Sequence, residues 1–460
     1  MSNVIHWFRH DLRLSDNPSL LHAVQAAHLQ GGSLLPVFIW DPAETLPGPW
    51  GPRRRGPHRM AVLADTLASL DAALQALGSR LLVLRGPVVA VLPRLVAAMK
   101  AELVTAEDIA APFEQDEVAS LCATARRDGW QLVTTWQSSL LAPDDLPFSI
   151  DRAPDVFTAF RQQVERAGVQ ARAPLPAPAA LPPLPSAECL WDPRAAARTM
   201  TAQGDGAVPV LLCHTPLKRP APDTLAYEAR SAFPYHLPAC APGEAGGQAH
   251  LTRYLQRRLP HSYKATRNGL MGIDYSSKFS PWLASGALSA RQIMHALRAF
   301  EAEHGANEGS YWLWFELLWR DHFRLMHLKH GRALYRARGL SDLPLPQHDV
   351  SAFQRWCEGR TGHAFVDAGL RELHASGFLS NRMRQVVASY LVHELQSDWR
   401  AGAAWFESQL VDYDVYSNQG NWLYLAGRGT DPRGGRRFNP DKQAHDHDPE
   451  GLYRRLWSTA

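Results

Sequence analysis

Cysteine is scarce and poorly spaced for chemistry. The five residues, Cys122, Cys189, Cys213, Cys240 and Cys357, are odd in number and far apart. Without a C-x-x-C pair, neither a disulfide framework nor a zinc site is expected, and no metal is assigned. Long apolar runs are missing as well, which argues against a membrane-spanning helix. The opening Met1-Ser2-Asn3-Val4-Ile5-His6-Trp7 has no basic segment leading into an apolar one, so a cytoplasmic protein without a signal peptide is expected. Glycine-rich fingerprints of the G-x-G-x-x-G and G-x-x-x-x-G-K-[ST] kinds do not occur, which removes standard dinucleotide and P-loop sites.

Strong net charge is also lacking, at +3 over 460 residues, so no polyanion partner is indicated globally. The distribution says more. Residues 249–298 hold eight Lys or Arg and one acid, Asp274, and residues 428–442 hold five bases against two acids. Local basic surfaces of this kind suit phosphate, although a solvated face balancing acids elsewhere gives the same composition.

The first third reads as α/β. Apolar strands at 3–8, 34–39, 81–84 and 103–105 alternate with helical patterns at 19–30, 60–77 and 91–101. That alternation predicts a doubly wound parallel sheet, with ligands beyond the carboxyl ends of its strands. Six prolines within 173–185 rule out helix or central strand there. Periodicity stays weak to about residue 247. Beyond it helical patterns dominate, at 251–259, 290–304, 310–330, 365–376, 381–396 and 400–410. Three units are expected: an α/β domain over 1–150, a connector over 151–247, and an all-α domain over 248–460.

Three constellations in the second half carry chemistry. In Y-W-L-W-F-E-L-L-W-R-D-H-F-R, residues 311–324, helical spacing puts Trp312, Glu316, Trp319, Arg320 and Phe323 on one face. The aromatics alone read as core. A carboxylate among them needs a partner, either Arg320 at i+4 or a ligand. Ser380 reads as an N-cap that sets Asn381, Arg384 and Gln385 at a helix start, suited to plain capping or to an anion or carbonyl-rich ligand. Ser276, Ser277 and Ser280 around Lys278, with Tyr263 upstream, read as a diphosphate cradle or as a serine-rich turn. The run 412–422, D-Y-D-V-Y-S-N-Q-G-N-W, is too rich in carboxylates, amides and aromatics for a plain loop.

Taken together, these motifs resemble those of the photolyase/cryptochrome family. His6-Trp7-Phe8-Arg9-His10-Asp11-Leu12-Arg13 with Asp16-Asn17 is similar to its opening. Ser277 to Ala284, Glu316 to Asp321, Asn381-Arg382, Asp398-Trp399-Arg400 and the 412–422 run follow in order. The resemblance covers nearly the whole chain and is weakest over 150–245. Gln385, Asn421-Trp422-x-Tyr424 and Y-W-x-x-F-E-L-L-W-R resemble the DASH cryptochromes in particular.

The resemblance implies FAD, held by Tyr263, Ser276, Ser277, Lys278, Phe279 and Ser280 on the diphosphate side. It implies Arg384, paired to Asp412, and Asp414 around the flavin ring, with Asn418 at flavin N5. It implies light-driven repair of cyclobutane pyrimidine dimers, mainly in single-stranded DNA, by an electron from excited FADH⁻. Glu316, Asn381 and Gln385 would meet the dimer, Trp319 and Tyr424 would flank the flipped bases, and Arg267, Arg320, Arg382 and Gln443 would meet DNA. Trp422 and Trp399 match two members of the family's electron-transfer chain. Where a third tryptophan is usual, ten residues before Trp356, this chain has Pro346. Phe113-Glu114 matches a pair that touches a methenyltetrahydrofolate antenna, and a solvated surface acid is the other reading of Glu114. A monomer is expected. The competing function is a blue-light photoreceptor with little or no repair.

Overall fold

The computed structural model describes residues 3–186, 213–221 and 225–459, so Cys189 lies outside the described residues. The N-terminal half is built on strands β1 Asn3–Phe8, β2 Ser33–Trp40, β3 Leu82–Arg85, β4 Ala101–Glu107 and β5 Gln131–Thr135. They form one parallel sheet in the order β3-β2-β1-β4-β5. Helices α1 Pro18–Leu29, α2 Pro57–Ala76, α3 Val88–Met99 and α4 Pro112–Asp128 connect the strands. Alternation along β1 decides which face each residue joins. Val4 and Phe8 pack with α1 and α2, whereas Ile5 and Trp7 pack with α3 and α4. Burial on both faces is what a parallel sheet requires. The chain leaves β1 toward β2 on one side and β4 on the other, so a crevice opens at the carboxyl ends of these central strands.

Two elements of this half have weak sequence signals. Strand β5 is half-exposed at the sheet edge, and α4 buries only Leu121 and Ala125 along its length. Neither shows the apolar density that marks the other elements.

From residue 244 onward the described chain is helical. The six expected helices form as Glu244–Gln256, Ala290–His304, Glu308–His330, Ala364–Ser376, Asn381–Ser389 and Trp399–Gln409. The fifth ends earlier than its pattern because the backbone loosens to a π turn at Tyr390–Glu394. Among the described residues six further helices, Leu259–Thr266, Ser280–Ser285, Val350–Cys357, Val415–Leu425, Pro440–His447 and Leu452–Leu456, run from five to eleven residues. Among the described residues no helix is long and apolar enough to cross a membrane.

The described parts of 151–247 pack closely. Phe157–Arg166 is a helix, and Phe233, Tyr235 and Cys240 join the core around Trp282. Leu175, in the proline-rich stretch, donates its N–H to Asp16.

Buried charge joins the sheet to the helices. Asp16 is fully buried and accepts from Ser289 and from Arg291, whose guanidinium lies 2.9 Å away. Arg13 reaches the Gly286 carbonyl at 2.8 Å. Gly286 has φ +72°, and a Cβ there would overlap the His10 carbonyl, so glycine is required where the two halves touch. Asp321 accepts from the Leu140 and Leu141 N–H groups at 2.9 and 2.7 Å. Removing one member of such a pair strands the other charge in low dielectric. Arg291→Ala is therefore expected to cost about 3–5 kcal/mol, read as a lowered midpoint in urea or thermal unfolding.

Candidate functional site

The run 412–422 forms the floor of a cavity in the helical half. Asp414 caps helix Val415–Leu425, its carboxylate accepting from the Ser417 N–H at 2.8 Å. Arg324, from the middle of helix Glu308–His330, meets the same carboxylate at 2.6 Å. Burial works to raise the Asp414 pKa, but the guanidinium groups of Arg324 and Arg320 hold it well below the usual carboxylate range. Asp412 is buried and takes both of its contacts from Arg384, at 2.8 and 2.7 Å. Arg384 is fixed in turn by the Leu379 carbonyl at 2.8 Å.

Asn418 and Trp422 line this cavity together with Asn381, Arg384, Gln385 and Phe406. The Asn418 amide N–H donates to the Ala403 carbonyl at 3.1 Å, which leaves its oxygen as a free acceptor. The Trp422 ring is buried and its indole N–H has no partner among the described residues. A wall that combines an ion pair, a fixed amide and an apolar ring suits a flat heterocycle with ring nitrogens and carbonyls.

The stretch 263–280 approaches this cavity through Lys278, which lies near Asp412 and Arg384. The Tyr263 hydroxyl is buried beside Ser276. Ser276 and Lys278 both have positive φ, 61° and 56°, which is sparse for residues with a Cβ. Backbone turned this way gathers N–H groups into a concave anion cradle. The Ser277 and Ser280 hydroxyls make no hydrogen bond among the described residues, so both are open donors beside it. Two expected roles change. Phe279 is turned into the core against His250 and Tyr254, because its ring is worth more there than in a polar loop. The Lys278 ammonium is buried over the Phe378 ring, 5.0 Å from its centroid, and faces Glu372 and Asp412. Burial lowers its pKa to about 8, against the attraction of Glu372.

At the mouth, Glu316 pairs with Arg267 and not with Arg320 one turn on. Its carboxyl pKa is raised by burial, with Arg267 opposing. Arg267 also lies over the Trp312 ring at 4.5 Å. Arg382 reaches Asn268 at 3.1 Å and Gln443 at 3.4 Å, and the field of Arg267 helps lower its pKa after burial. Arg267, Arg382 and Gln443 thus share one neighbourhood. Trp319 stands edge-on to Tyr424, with centroids 5.5 Å apart, and its other face stacks on Phe157 at 3.7 Å. Arg320 is the correction. It donates to the Ser138 and Leu283 carbonyls inside the domain interface, so it does not reach the surface expected to meet DNA.

A second cavity, about 340 Å³, opens at the carboxyl ends of β1 and β2. Its lining includes Trp7, Arg9, Trp40, Arg54, Phe113 and Glu114. Glu114 therefore belongs to a cavity wall and is no solvated surface acid. Burial raises its pKa, and the Arg54 guanidinium, which lies over Phe113 at 4.4 Å, opposes the rise.

Comparison with known proteins bears on both halves of the molecule. Residues 4–180 match the family model described as DNA photolyase, and residues 312–459 match the FAD binding domain of DNA photolyase. Cryptochrome DASH of Gloeobacter violaceus is 42% identical, covering 99% of this chain and 85% of its own. The chain belongs to the photolyase/cryptochrome family. The Synechocystis sp. cryptochrome structure superposes with a TM-score of 0.87 at 38% identity, covering 99% of this chain and 88% of that one. An archaeal photolyase from Sulfolobus tokodaii with two FAD molecules gives 0.71 at 25% identity, covering 99% and 90%. The helical half is thus a photolyase-family FAD-binding domain, and its residues fit the group: amide and carboxylate acceptors and an ion pair in the cavity, with the positive-φ turn at Ser276 and Lys278 near by.

Several residues of this family member escape a sequence reading. Arg324 is one. The only signal for it is a charge inside the apolar run Phe323–Met326. The arginines of the sheet-end cavity are others, since they come from separate turns. Glu372 is a third. It is buried, takes a hydrogen bond from the Tyr453 hydroxyl, and faces Lys278. Burial raises its pKa from 4.5 to about 7, with Tyr453 and Lys278 opposing. A raised carboxyl pKa means that the folded state holds a proton the unfolded state has lost. The resulting stability is full below pH 4.5 and disappears as pH rises through 7. Glu372→Gln is expected to remove this fall, on the order of 3 kcal/mol, from denaturation midpoints compared across pH 4 to 8.

Proposed function

We propose that this protein is a light-driven lyase that splits cyclobutane pyrimidine dimers in single-stranded DNA. The observation that carries the reading is the mouth itself: a carboxyl at Glu316 whose partner is the exchangeable Arg267, in a basic cluster with Arg382 and Gln443, in a family member with an amide-lined cavity fit for the flavin ring. Bound FAD, when reduced and excited by blue light, supplies the electron that opens the dimer and takes it back.

The chain's own residues do the rest. Arg267, Arg382 and Gln443 hold the phosphate backbone. Trp319 and Tyr424 give the extruded bases an L-shaped apolar surface. Glu316 turns its carboxyl to the base edges once a dimer displaces Arg267, and burial, which raises its pKa, favours a shared proton there. Asn381 and Gln385 supply further amide hydrogen bonds at the rim. Asp412 and Asp414, each locked to an arginine, would hold the flavin ring, and the free Asn418 oxygen would accept from a ring N–H of it. The single-strand preference follows from cost. Extruding a dimer from a duplex breaks stacking and pairing worth a few kcal/mol, and a strand already open avoids it. The second cavity takes a light-gathering chromophore, methenyltetrahydrofolate by resemblance, against Phe113 and Glu114.

The test is illumination of reduced protein with a dimer-containing oligothymidylate, following the return of base absorbance. Single strands are expected to be restored faster than duplex, and Glu316→Ala is expected to lower the yield about tenfold, the equivalent of one charge-assisted hydrogen bond. No restoration on single strands would sink the lyase reading.

A further inference from the structure

We propose that Trp50, carried by the N-terminal half, is the surface terminus through which electrons reach the flavin cavity. The inference rests on the light-driven reading above and concerns how the bound flavin becomes reduced. Trp422 lines the cavity and is shut off from solvent. Trp356 lies edge-on to it, with ring centroids 6.4 Å apart, and is also fully buried. An oxidised ring at either place has no route to an external donor. The residue ten before Trp356 is Pro346, which cannot carry a charge.

Just past Pro346 in the chain, His348 meets a ring from the other half of the molecule. The Trp50 ring stands against His348, two residues past the proline, at 5.2 Å and an interplanar angle of 78°. Its other neighbour is Arg400, whose guanidinium lies 5.1 Å from the ring and which directly follows Trp399. Inward from His348 the rings are continuous. His348 meets Phe353 at 5.4 Å, Phe353 stacks on Trp356 at 6.0 Å, and Trp356 reaches Trp422. Trp399 is buried in the same apolar cluster, and Arg400, the next residue, is the one that covers the Trp50 ring. The ring path ends at Trp50, which is half-buried and makes no indole hydrogen bond among the described residues.

Access to water, rather than the local charge, favours a terminus at this place. Arg400 is held by Asp398 at 2.7 Å, which offsets most of its charge. What remains disfavours a cation on the Trp50 ring and promotes loss of its N–H proton to water. The inner rings differ. The Trp356 N–H donates to the Val387 carbonyl at 2.9 Å, and that of Trp399 to the Ala337 carbonyl at 3.1 Å, so neither can shed its proton to solvent.

The electron balance is simple. One electron passes from Trp422 into the light-excited cavity. Single-electron steps move the vacancy outward to Trp50. Trp50 releases its N–H proton to water, and an external thiol returns one electron and one proton.

The test uses flavin-loaded protein with a thiol under blue light, with flash spectroscopy of side-chain radicals, all signals taken per bound flavin. Trp50→Phe is expected to shorten the life of the indole radical and to slow bleaching of the flavin band on the order of tenfold. Trp50→Tyr keeps the interface packed and is expected to replace the long-lived indole spectrum with that of a tyrosyl radical. An unchanged radical lifetime in Trp50→Phe, or no tyrosyl signal in Trp50→Tyr, overturns the assignment. Trp422→Phe separates the levels: loss there with retention in Trp50→Phe removes only Trp50, whereas retention in both removes the whole route.

Discussion

The buried pair Arg324–Asp414 is the contact on which the site depends. It ties the middle of helix Glu308–His330 to the first turn of helix Val415–Leu425. The first helix carries Glu316 and Trp319 at the mouth, and the second carries Asn418 and Trp422 in the cavity. Arg324 also contacts Ser138 of the N-terminal half, at 3.2 Å. One ion pair therefore sets the distance between mouth, cavity and domain interface. Its energetic character suits that role. Two charges removed from water gain little net stability over an apolar pair, but breaking one side is expensive, so the arrangement is held to a single geometry.

Around this contact the molecule separates two kinds of surface. The cavity in the helical half is walled by committed groups: Asp412 on Arg384, Asp414 on Arg324, the Asn418 amide on Ala403. They are already oriented and need little reorganisation on binding. The mouth is walled by groups whose bonds are easily exchanged, such as Glu316 with Arg267 and Arg382 with Asn268 and Gln443. A resident cofactor calls for the first kind of wall and a substrate that comes and goes for the second. The sheet-end cavity, at the switch point between β1's two neighbours, lies where open parallel sheets usually place a ligand.

Much of this was legible in the sequence, for physical reasons that can be named. Strands β1 to β4 announce themselves as apolar runs because they are buried on both faces. Helix Ala290–His304 was read to the residue, since the Ser289–Gln292 capping box marks its start and Gly305 its end. The cavity residues showed as polar groups where surface chemistry would not place them. What sequence did not show is pairing across distance. The partner of Glu316 is Arg267, 49 residues away, whereas i+4 spacing points to Arg320. Arg320 looks like a DNA contact in a motif and is an interface residue in space. Lys278 and Phe279 sit in the right loop but turn into the core. Trp50 carries no signal at all, because its neighbours His348 and Arg400 come from the other half of the chain.

The central claim is that a lesion enters at Glu316 and rests against the flavin held between Asp412 and Asn418. A crystal structure of the reduced, flavin-loaded protein with a dimer-containing single strand, prepared in the dark, tests it most directly. The account predicts the dimer within hydrogen-bond reach of Glu316 and Asn381, against Trp319 and Tyr424, with its phosphates on Arg267 and Arg382. DNA bound across another surface, with Glu316 still paired to Arg267, would contradict it.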